Sequence, residues 1–307
     1  RQQEGISRKR LYELNRAAAK YFHSALLSPE GQAGMDYLTK TRALSRATVN
    51  HFGLGFAPDS FFGLSNAMHA AGYTDEELYV AFLCGKSKKT GKPYDYFRNR
   101  VIFPIIDTAG NVVAFGGRVM DDSKPKYLNT NDTPVFKKGR NLFALNFAKN
   151  HCAGELIICE GYMDVIALHA AGFENAVASL GTALTDEQAR LLTRYTKRIV
   201  MLYDSDEAGQ RATAKNMKTF AAVGMEVRIL KLEGAKDADE FLRKYGPDAF
   251  RRAMGQSVTG FTYKMNTITG KYNMDLPEEK IRAAEELCGE IATVYSAVER
   301  EVYVDAA

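Results

Sequence analysis

The spacing of apolar residues predicts a long helix near the start of the chain and a β-hairpin in its middle. Residues 8–27, RKRLYELNRAAAKYFHSALL, repeat apolar side chains at helical spacing, namely Leu11, Leu14, Ala18, Tyr21 and Ala25. The stretch TDEELYVAFLCG predicts a short helix. From Val101, the runs VIFPIID and NVVAFGGRV surround the short turn TAG and predict two paired strands. The segment DDSKPKYLNTNDTPVFKKGRNLFAL that follows is rich in turn residues and predicts a long functional loop region.

Between Glu155 and about Gly246 the pattern changes to apolar runs that alternate with helical segments. Four such units follow one another, and they are ELIICEGYMDVIALHAAG, NAVASLGTALTDEQARLLTRY, KRIVMLYDSDEAGQRATAKNMKTFAAVG and VRILKLEGAKDADEFLRKYG. Continuous apolar strands that alternate with helices are typical of a parallel sheet covered on both faces. The last stretch, EEKIRAAEELCGEIATVYSAVEREV, is helical by pattern.

These patterns predict an α/β fold with three parts. We expect a basic α+β N-terminal subdomain at residues 1–150, a parallel sheet flanked by helices at residues 151–255, and a small, truncated C-terminal helical domain at residues 256–307.

Composition places the chain among ordinary globular proteins. It has 307 residues, of which 46% are apolar and 25% charged. No run resembles a membrane span or a signal peptide, and the four cysteines and five histidines lack metal-ligand spacing. We therefore expect a cytoplasmic protein with reduced thiols. The first residue is Arg1 rather than Met, which predicts an excised fragment.

The net charge of +4 conceals a basic middle segment. Residues 86–150 carry 13 lysines and arginines against 5 aspartates, a local net charge of +8, so the rest of the chain is −4. Such an asymmetry is consistent with an anionic partner held beside a cation site, and equally with a solvated lysine-rich loop. Charge alone leaves both interpretations open.

Carboxylates follow three of the four predicted strands. Glu160 follows LIIC, Asp204 and Asp206 follow IVMLY, and Asp237 and Asp239 follow VRILKL; Asp164 lies one helical turn beyond Glu160. Ligands of an open parallel sheet bind at the carboxyl ends of the strands, where these acids should converge. Alternate residues of an extended chain face the same side, so Asp204 and Asp206 would point together. A hard divalent cation between them would offset their repulsion, although a single aspartate before a helix is more often only an N-cap.

Several ordered motifs resemble one known family. EGYMDVIALHAAG, ASLGTALT, YDSDEAGQRA and KDADEFLRKYG resemble the TOPRIM core of bacterial DnaG-type primases. FRNRVIFPIID, VVAFGGRV, PKYLNT and VFKKGRNLF are similar to the basic subdomain that precedes that core. The resemblance covers roughly residues 8–246, and the terminal helices fit the helical tail of the family.

The resemblance implies synthesis of RNA primers on single-stranded DNA from ribonucleoside triphosphates. It implies a catalytic, metal-binding triad of Glu160, Asp204 and Asp206, supported by Asp164, Asp237 and Asp239, with Mg²⁺ or Mn²⁺ as the metal. The positions implied to bind nucleotide or nucleic acid are Arg98, Arg100, Arg118, Lys126, Tyr127, Asn129 and Lys138. For Tyr127, stacking on a base and plain packing are both open.

From the sequence we expect two parts of the family to be absent, a front Cys/His zinc module and a long helicase-binding domain at the end. We therefore expect zinc and the replicative helicase to be bound only through absent segments. The main alternative function is a TOPRIM nuclease, which would use the same acids for hydrolysis but has no need of a triphosphate site. A topoisomerase would need a tyrosine nucleophile domain and a strand gate, and a DNA-binding scaffold would not need the full set of acids.

Overall fold

The computed structural model describes residues 5–152, 154–181, 183–202, 207–294 and 296–306. Within these ranges the chain forms a mixed α/β fold with a four-stranded, a five-stranded and a two-stranded sheet. The predicted α/β class is confirmed. None of the helices in the described part of the chain is long and apolar enough to cross a membrane.

The N-terminal half contains short helices around an antiparallel sheet. Its helices are α1 (Arg8–Leu27), α2 (Gln32–Asp36), α3 (Arg46–His51), α4 (Gly63–Ala70), α5 (Asp75–Val80) and α6 (Leu145–Ala148), with a π-helical turn at Tyr37–Thr41. Its strands are β1 (Gly55–Ala57), β2 (Cys84–Lys86), β3 (Pro93–Asp95), β4 (Arg100–Ile106), β5 (Val112–Val119) and β6 (Tyr127–Asn129). The larger sheet has the order β1-β4-β5-β6, and β4 and β5 form the predicted hairpin.

Helix α1 has the bounds that its apolar pattern predicts. It begins where the Ser7 hydroxyl accepts a hydrogen bond from the backbone N–H of Arg10. The buried apolar stripe consists of Leu11, Leu14, Ala18, Phe22 and Leu26. The apolar pattern predicts Tyr21 and Ala25 in this stripe, which is wrong by one position. With 3.6 residues per turn the stripe continues from Ala18 to Phe22, and Tyr21 lies at its border.

The second sheet contains the four predicted parallel strands. They are β7 (Leu156–Cys159), β8 (Ala176–Ala178), β9 (Arg198–Leu202) and β10 (Glu226–Leu230), separated by α7 (Tyr162–Ala170), α8 (Asp186–Leu192) and α9 (Glu207–Ala222). The order is β11-β10-β9-β7-β8. The edge strand β11 (Val258–Thr259) pairs antiparallel with β10 and was not predicted, since two residues carry no period.

The last part of the chain is helical, as predicted. It contains α10 (Ala238–Gly255), α11 (Gly260–Thr269), α12 (Pro277–Ala292) and α13 (Ala297–Ala306). Helix α10 is kinked at Gly246, which has a φ of 77° and is followed in the chain by Pro247.

The largest buried cluster extends from Leu26 of α1 to Phe250 of α10 and includes residues on both sides of position 150. At this junction the Phe103 ring stacks on Tyr162 with centroids 5.1 Å apart. The antiparallel sheet and the parallel sheet therefore share one core, which positions the carboxyl edge of β7 beside the basic half of the chain.

Candidate active site

Glu160 lies at the carboxyl end of β7, and its side chain is exposed. Asp164 follows in the first turn of α7, so both carboxylates lie beside the helix N-terminus. Gly161 separates them, and a Cβ atom there would come within 2.9 Å of Asp164 Oδ2. A larger residue at position 161 would therefore push this carboxylate away from the sheet edge.

The strand expected to carry the other two acids is the direct neighbour of β7. Strand β9 runs parallel to it, with Ile158 opposite Met201, and ends at Leu202. Asp204 and Asp206 themselves lie outside the described residues. Within the described ranges, no three histidine, cysteine, aspartate or glutamate side chains come close enough together to hold a metal ion.

A small cavity of about 20 Å³ lies at this edge, about the room that one water molecule or ion needs. Its lining includes Glu160, Asp164, Asp237 and two lysines, Lys231 and Lys236. Sequence reasoning missed both lysines, because isolated lysines after a strand resemble ordinary surface charge. The Asp237 carboxylate also caps α10 by accepting a hydrogen bond from the N–H of Glu240 at 2.7 Å.

Asp239 is buried and belongs to an ion pair. Its Oδ2 accepts hydrogen bonds from Arg42 at 2.7 Å and from Arg243 at 3.3 Å. Its backbone N–H donates to Asp164 Oδ1 at 3.2 Å, which connects it to the acid edge. The structure thus gives Asp239 an ion-pair partner that the sequence did not reveal, and its assignment as a supporting metal acid stays a prediction.

The donor chemistry at this edge fits a hard cation. The buried Oδ1 of Asp239 has no hydrogen-bond partner among the described residues, so one acceptor there is unsatisfied. Burial, followed by the charges of Asp164 and Glu160, raises the pKa of the Cys159 thiol well above its ordinary value. This cysteine therefore stays protonated, and the available ligands are carboxylate oxygens.

Arg118 of β5 is held between two tyrosine rings. Its guanidinium lies 5.6 Å from the Tyr37 ring centroid and 5.3 Å from that of Tyr127, and Nη1 donates to the Tyr127 hydroxyl at 2.9 Å. Its buried Nε has no hydrogen-bond partner among the described residues. Burial raises the pKa of Tyr127. The Arg118 charge works against this rise, and the nearby Asp164 carboxylate increases it. Tyr127 therefore lies between Arg118, which it contacts, and the acid edge at Asp164.

Asn129 connects the two halves of the site. Its Oδ1 accepts a hydrogen bond from the Tyr162 hydroxyl at 2.9 Å, and its Nδ2 donates to the carbonyl oxygen of Leu180 at 3.2 Å. Burial raises the pKa of Tyr162, so the phenol remains a neutral donor. Gly116 makes this contact sterically feasible, because a Cβ there would lie 2.7 Å from the Tyr162 ring.

The remaining predicted basic residues differ in exposure. Lys126 is exposed, and half-buried Lys138 donates from Nζ to Asn131 Oδ1 at 3.3 Å. Arg98 is half-buried, with its guanidinium 3.9 Å from the ring centroid of exposed Phe61. Three of the predicted contact positions thus lie on the surface or partly exposed.

Arg100 has a structural role. It is buried, and its Nη1 donates to the carbonyl oxygens of Pro125 at 2.9 Å and Gly117 at 3.3 Å. Burial lowers its pKa. The guanidinium thus holds the loop that ends at Lys126, and a nucleic-acid contact by Arg100 stays a prediction.

Arg42 and Tyr37 are two further site residues that sequence reasoning missed. Arg42 Nε donates to the Tyr37 hydroxyl at 2.9 Å, while its Nη1 bonds Asp239. Burial alone would lower the pKa of Arg42, but Tyr37 and Asp239 together raise it. The segment YLTKTR has no motif of its own, so only its position beside Arg118 and Asp239 reveals the role.

An acid-lined parallel sheet edge beside a basic antiparallel hairpin is the arrangement expected of a Toprim-containing class of protein, and comparisons with known proteins show that class. A family model described as Toprim-like matches residues 157–242, and one described as the N-terminal domain of the DNA primase catalytic core matches residues 21–149. A third, described as the DnaB-helicase binding domain of primase, matches residues 261–307. The expectation that the helicase-binding part is absent was therefore wrong for this segment, whose helical pattern carries no recognisable short motif.

The chain is similar to curated DNA primases. It is 44% identical over 296 residues to the DNA primase of Clostridium acetobutylicum. This alignment covers 96% of this chain and 49% of the relative. It is 42% identical over 287 residues to the DNA primase of Deinococcus radiodurans, covering 92% of this chain and 49% of the relative. The chain thus spans about half the length of these curated relatives.

Solved structures give the same result. The RNA polymerase domain of Mycobacterium tuberculosis primase DnaG superposes with a TM-score of 0.86 at 30% identity, covering 97% of this chain and 98% of that one. A DnaG primase catalytic domain bound to single-stranded DNA gives 0.83 at 32% identity, covering 96% and 94%. The chain belongs to the DnaG-type DNA primase catalytic core family, and membership implies a requirement for a divalent metal.

Proposed function

We propose that this chain is a primase catalytic core that synthesises short RNA primers on single-stranded DNA from ribonucleoside triphosphates. The observation that carries the proposal is the junction of the two halves of the site. Glu160 follows the end of a parallel strand, Asp164 lies in the first turn of the next helix, and between them the Tyr162 hydroxyl donates to Asn129 of the basic sheet. Metal-binding acids and phosphate-binding cations beside one another are what nucleotidyl transfer needs.

The acids would hold Mg²⁺ or Mn²⁺, with Glu160, Asp204 and Asp206 as the ligands. Asp164, Asp237 and Asp239 would support this set, Asp239 through its unsatisfied buried oxygen. The bound metal supplies charge neutralisation on the entering and leaving oxygens of the phosphoryl group. The chain's own contribution is to orient these oxygens and, at Glu160, to accept a proton from the attacking hydroxyl.

The basic face would bind the triphosphate and the strands. We assign Arg118, Lys126 and Lys138 to phosphate oxygens, because charge-assisted hydrogen bonds give both affinity and orientation. Arg98 together with exposed Phe61 offers a cation and a ring on which a single-stranded base can stack. Asn129 and Tyr127 would act mainly by positioning, since Asn129 accepts a hydrogen bond from Tyr162 of the acid half and Tyr127 accepts one from Arg118.

The partners follow from relatives. A solved DnaG catalytic domain is described as bound to single-stranded DNA, and an M. tuberculosis DnaG domain as bound to a double-stranded DNA oligomer with a 6-nucleotide overhang. We propose a single-stranded template, an RNA product and, through residues 261–307, the replicative helicase. We also propose the division at residues 1–150, 151–255 and 256–307, and a place at the bacterial replication fork in the cytoplasm.

Primer synthesis can be separated from the alternative, nuclease activity, in one assay. The chain is incubated with single-stranded DNA, Mg²⁺ or Mn²⁺ and labelled ribonucleotides, with and without an annealed RNA primer. We expect short labelled RNAs, those made without a primer bearing a 5′-triphosphate. A shortened template without incorporated ribonucleotide in either reaction would replace the proposal with a Toprim nuclease.

A further inference from the structure

A second and larger cleft lies at the end of the parallel sheet, between β10, α10 and α11. Its volume is about 1030 Å³, in the upper range of small-molecule sites. Its floor contains buried Ile229, Leu230 and Phe241. The cleft thus lies outside the carboxyl end of strand β10, the position at which α/β sheets bind ligands.

Two cations on its lining lack partners. Lys231 and Arg252 are exposed and make no ion pair or hydrogen bond among the described residues. The neighbouring Arg251, which does not line the cleft, pairs with Asp248 at 2.6 Å and lies 5.7 Å from the Phe173 ring centroid. Lys231 and Arg252 are therefore available in the cleft to donate hydrogen bonds to phosphate oxygens.

The same cleft contains groups suited to a planar base. The half-buried Tyr263 lines it, and an aromatic ring of this kind can stack on a base face. Gln256 and Asn266 line it as well, and their side-chain amides make no hydrogen bond among the described residues. An amide offers both a donor and an acceptor, which is the complement of a base edge.

We propose that this cleft binds a nucleotide, with its phosphates at Lys231 and Arg252 and its base against Tyr263, Gln256 and Asn266. The inference goes beyond the proposed function and does not require it. Lys231 also lines the acid cavity beside Glu160 and Asp164, so a ligand in the cleft shares a cation with the catalytic edge. We therefore expect binding at the two places to be energetically coupled, and such a coupling is reciprocal.

Hydrogen exchange of the intact chain tests the location directly. ATP and GTP are added without divalent metal, and we expect slower amide exchange in residues 249–271, which contain the second half of α10 and α11. Slower exchange limited to residues 118–138 would overturn the cleft site while leaving the proposed triphosphate site in place. Equal slowing by tripolyphosphate alone would overturn base recognition, and slowing by an oligothymidylate but not by nucleotides would assign the cleft to nucleic acid.

Matched variants make the same test residue-specific. Arg252→Glu should raise the nucleotide concentration needed for half-maximal slowing by about tenfold or more, because a charge-assisted phosphate contact becomes repulsive. Arg251→Glu, the neighbouring change outside the cleft, should leave that concentration unchanged. Equal effects of the two substitutions, or none from either, would overturn the proposal.

Discussion

The acid edge and the basic face of the active site are built in different ways. In the sequence, acids follow three of the four strands of one parallel sheet, so the predicted meeting place is given by strand ends such as that of β7 at Cys159. The basic face depends on contacts between distant parts of the chain: Arg42 reaches Asp239 across 197 residues, and Asn129 reaches Leu180 across 51. One half of the site is local in sequence and the other is a product of packing.

This difference predicts two kinds of sensitivity. We expect a conservative change in an exposed acid to remove chemistry and leave the fold, because the side chain lies at the surface and not in the core. A change in a buried contact between distant parts of the chain, such as Arg42–Asp239, also lowers stability, because it leaves a charge without its partner. The following substitutions test this contrast.

Glu160→Gln should have the largest effect, a loss of primer synthesis of about 100-fold or more with an unchanged melting temperature. The substitution keeps the shape of an exposed side chain but removes a negative charge that, in the proposed mechanism, holds the metal ion beside the reacting phosphate oxygens. Primer extension and thermal melting measure the two quantities. Asp204→Asn should behave in the same way.

A matched control for this experiment is Glu174→Gln, which alters an exposed glutamate that pairs with His151 at 3.0 Å. It should retain the parent rate, since surface pairs contribute little. Activity of Glu160→Gln within about threefold of the parent would contradict the assignment of this carboxylate.

Arg42→Ala should destabilise the fold by about 3 kcal/mol, the lower end for a broken buried ion pair, because Arg243 still contacts Asp239 at 3.3 Å. Urea unfolding measures this free energy. Adding Asp239→Asn should restore part of the stability, since the unpaired buried charge is then removed. Arg46→Ala, at an exposed arginine of α3, is the control and should change stability by no more than about 0.5 kcal/mol. If the urea midpoint of unfolding of Arg42→Ala equals that of the parent protein, the ion pair contributes nothing to stability.

Lys126→Ala should have the smallest effect, a modest loss of affinity for single-stranded DNA with unchanged stability. One fewer phosphate contact lowers the slope of log affinity against log salt by about 0.7. Binding is measured by fluorescence anisotropy over a range of salt concentrations. Lys280→Ala, at an exposed lysine of α12, should keep the parent slope. An identical slope for both variants would remove Lys126 from the phosphate-binding face.

The sequence by itself determined the elements whose signal is local. The bounds of α1, the β4–β5 hairpin and the four parallel strands follow from apolar periodicity and turn residues. The position of Glu160 follows as well, because an acid directly after a buried strand must lie at the sheet edge.

Only the tertiary structure decided which charges face solvent and which are satisfied internally. Arg98 and Arg100 are two residues apart in one motif, yet Arg98 remains partly exposed over Phe61 whereas Arg100 is buried against backbone carbonyls. Asp239 resembles Asp237 in sequence, but it is paired with Arg42 from the other half of the chain. The physical reason is that the partner of a buried charge is chosen by packing, and packing joins residues whose separation along the chain carries no pattern.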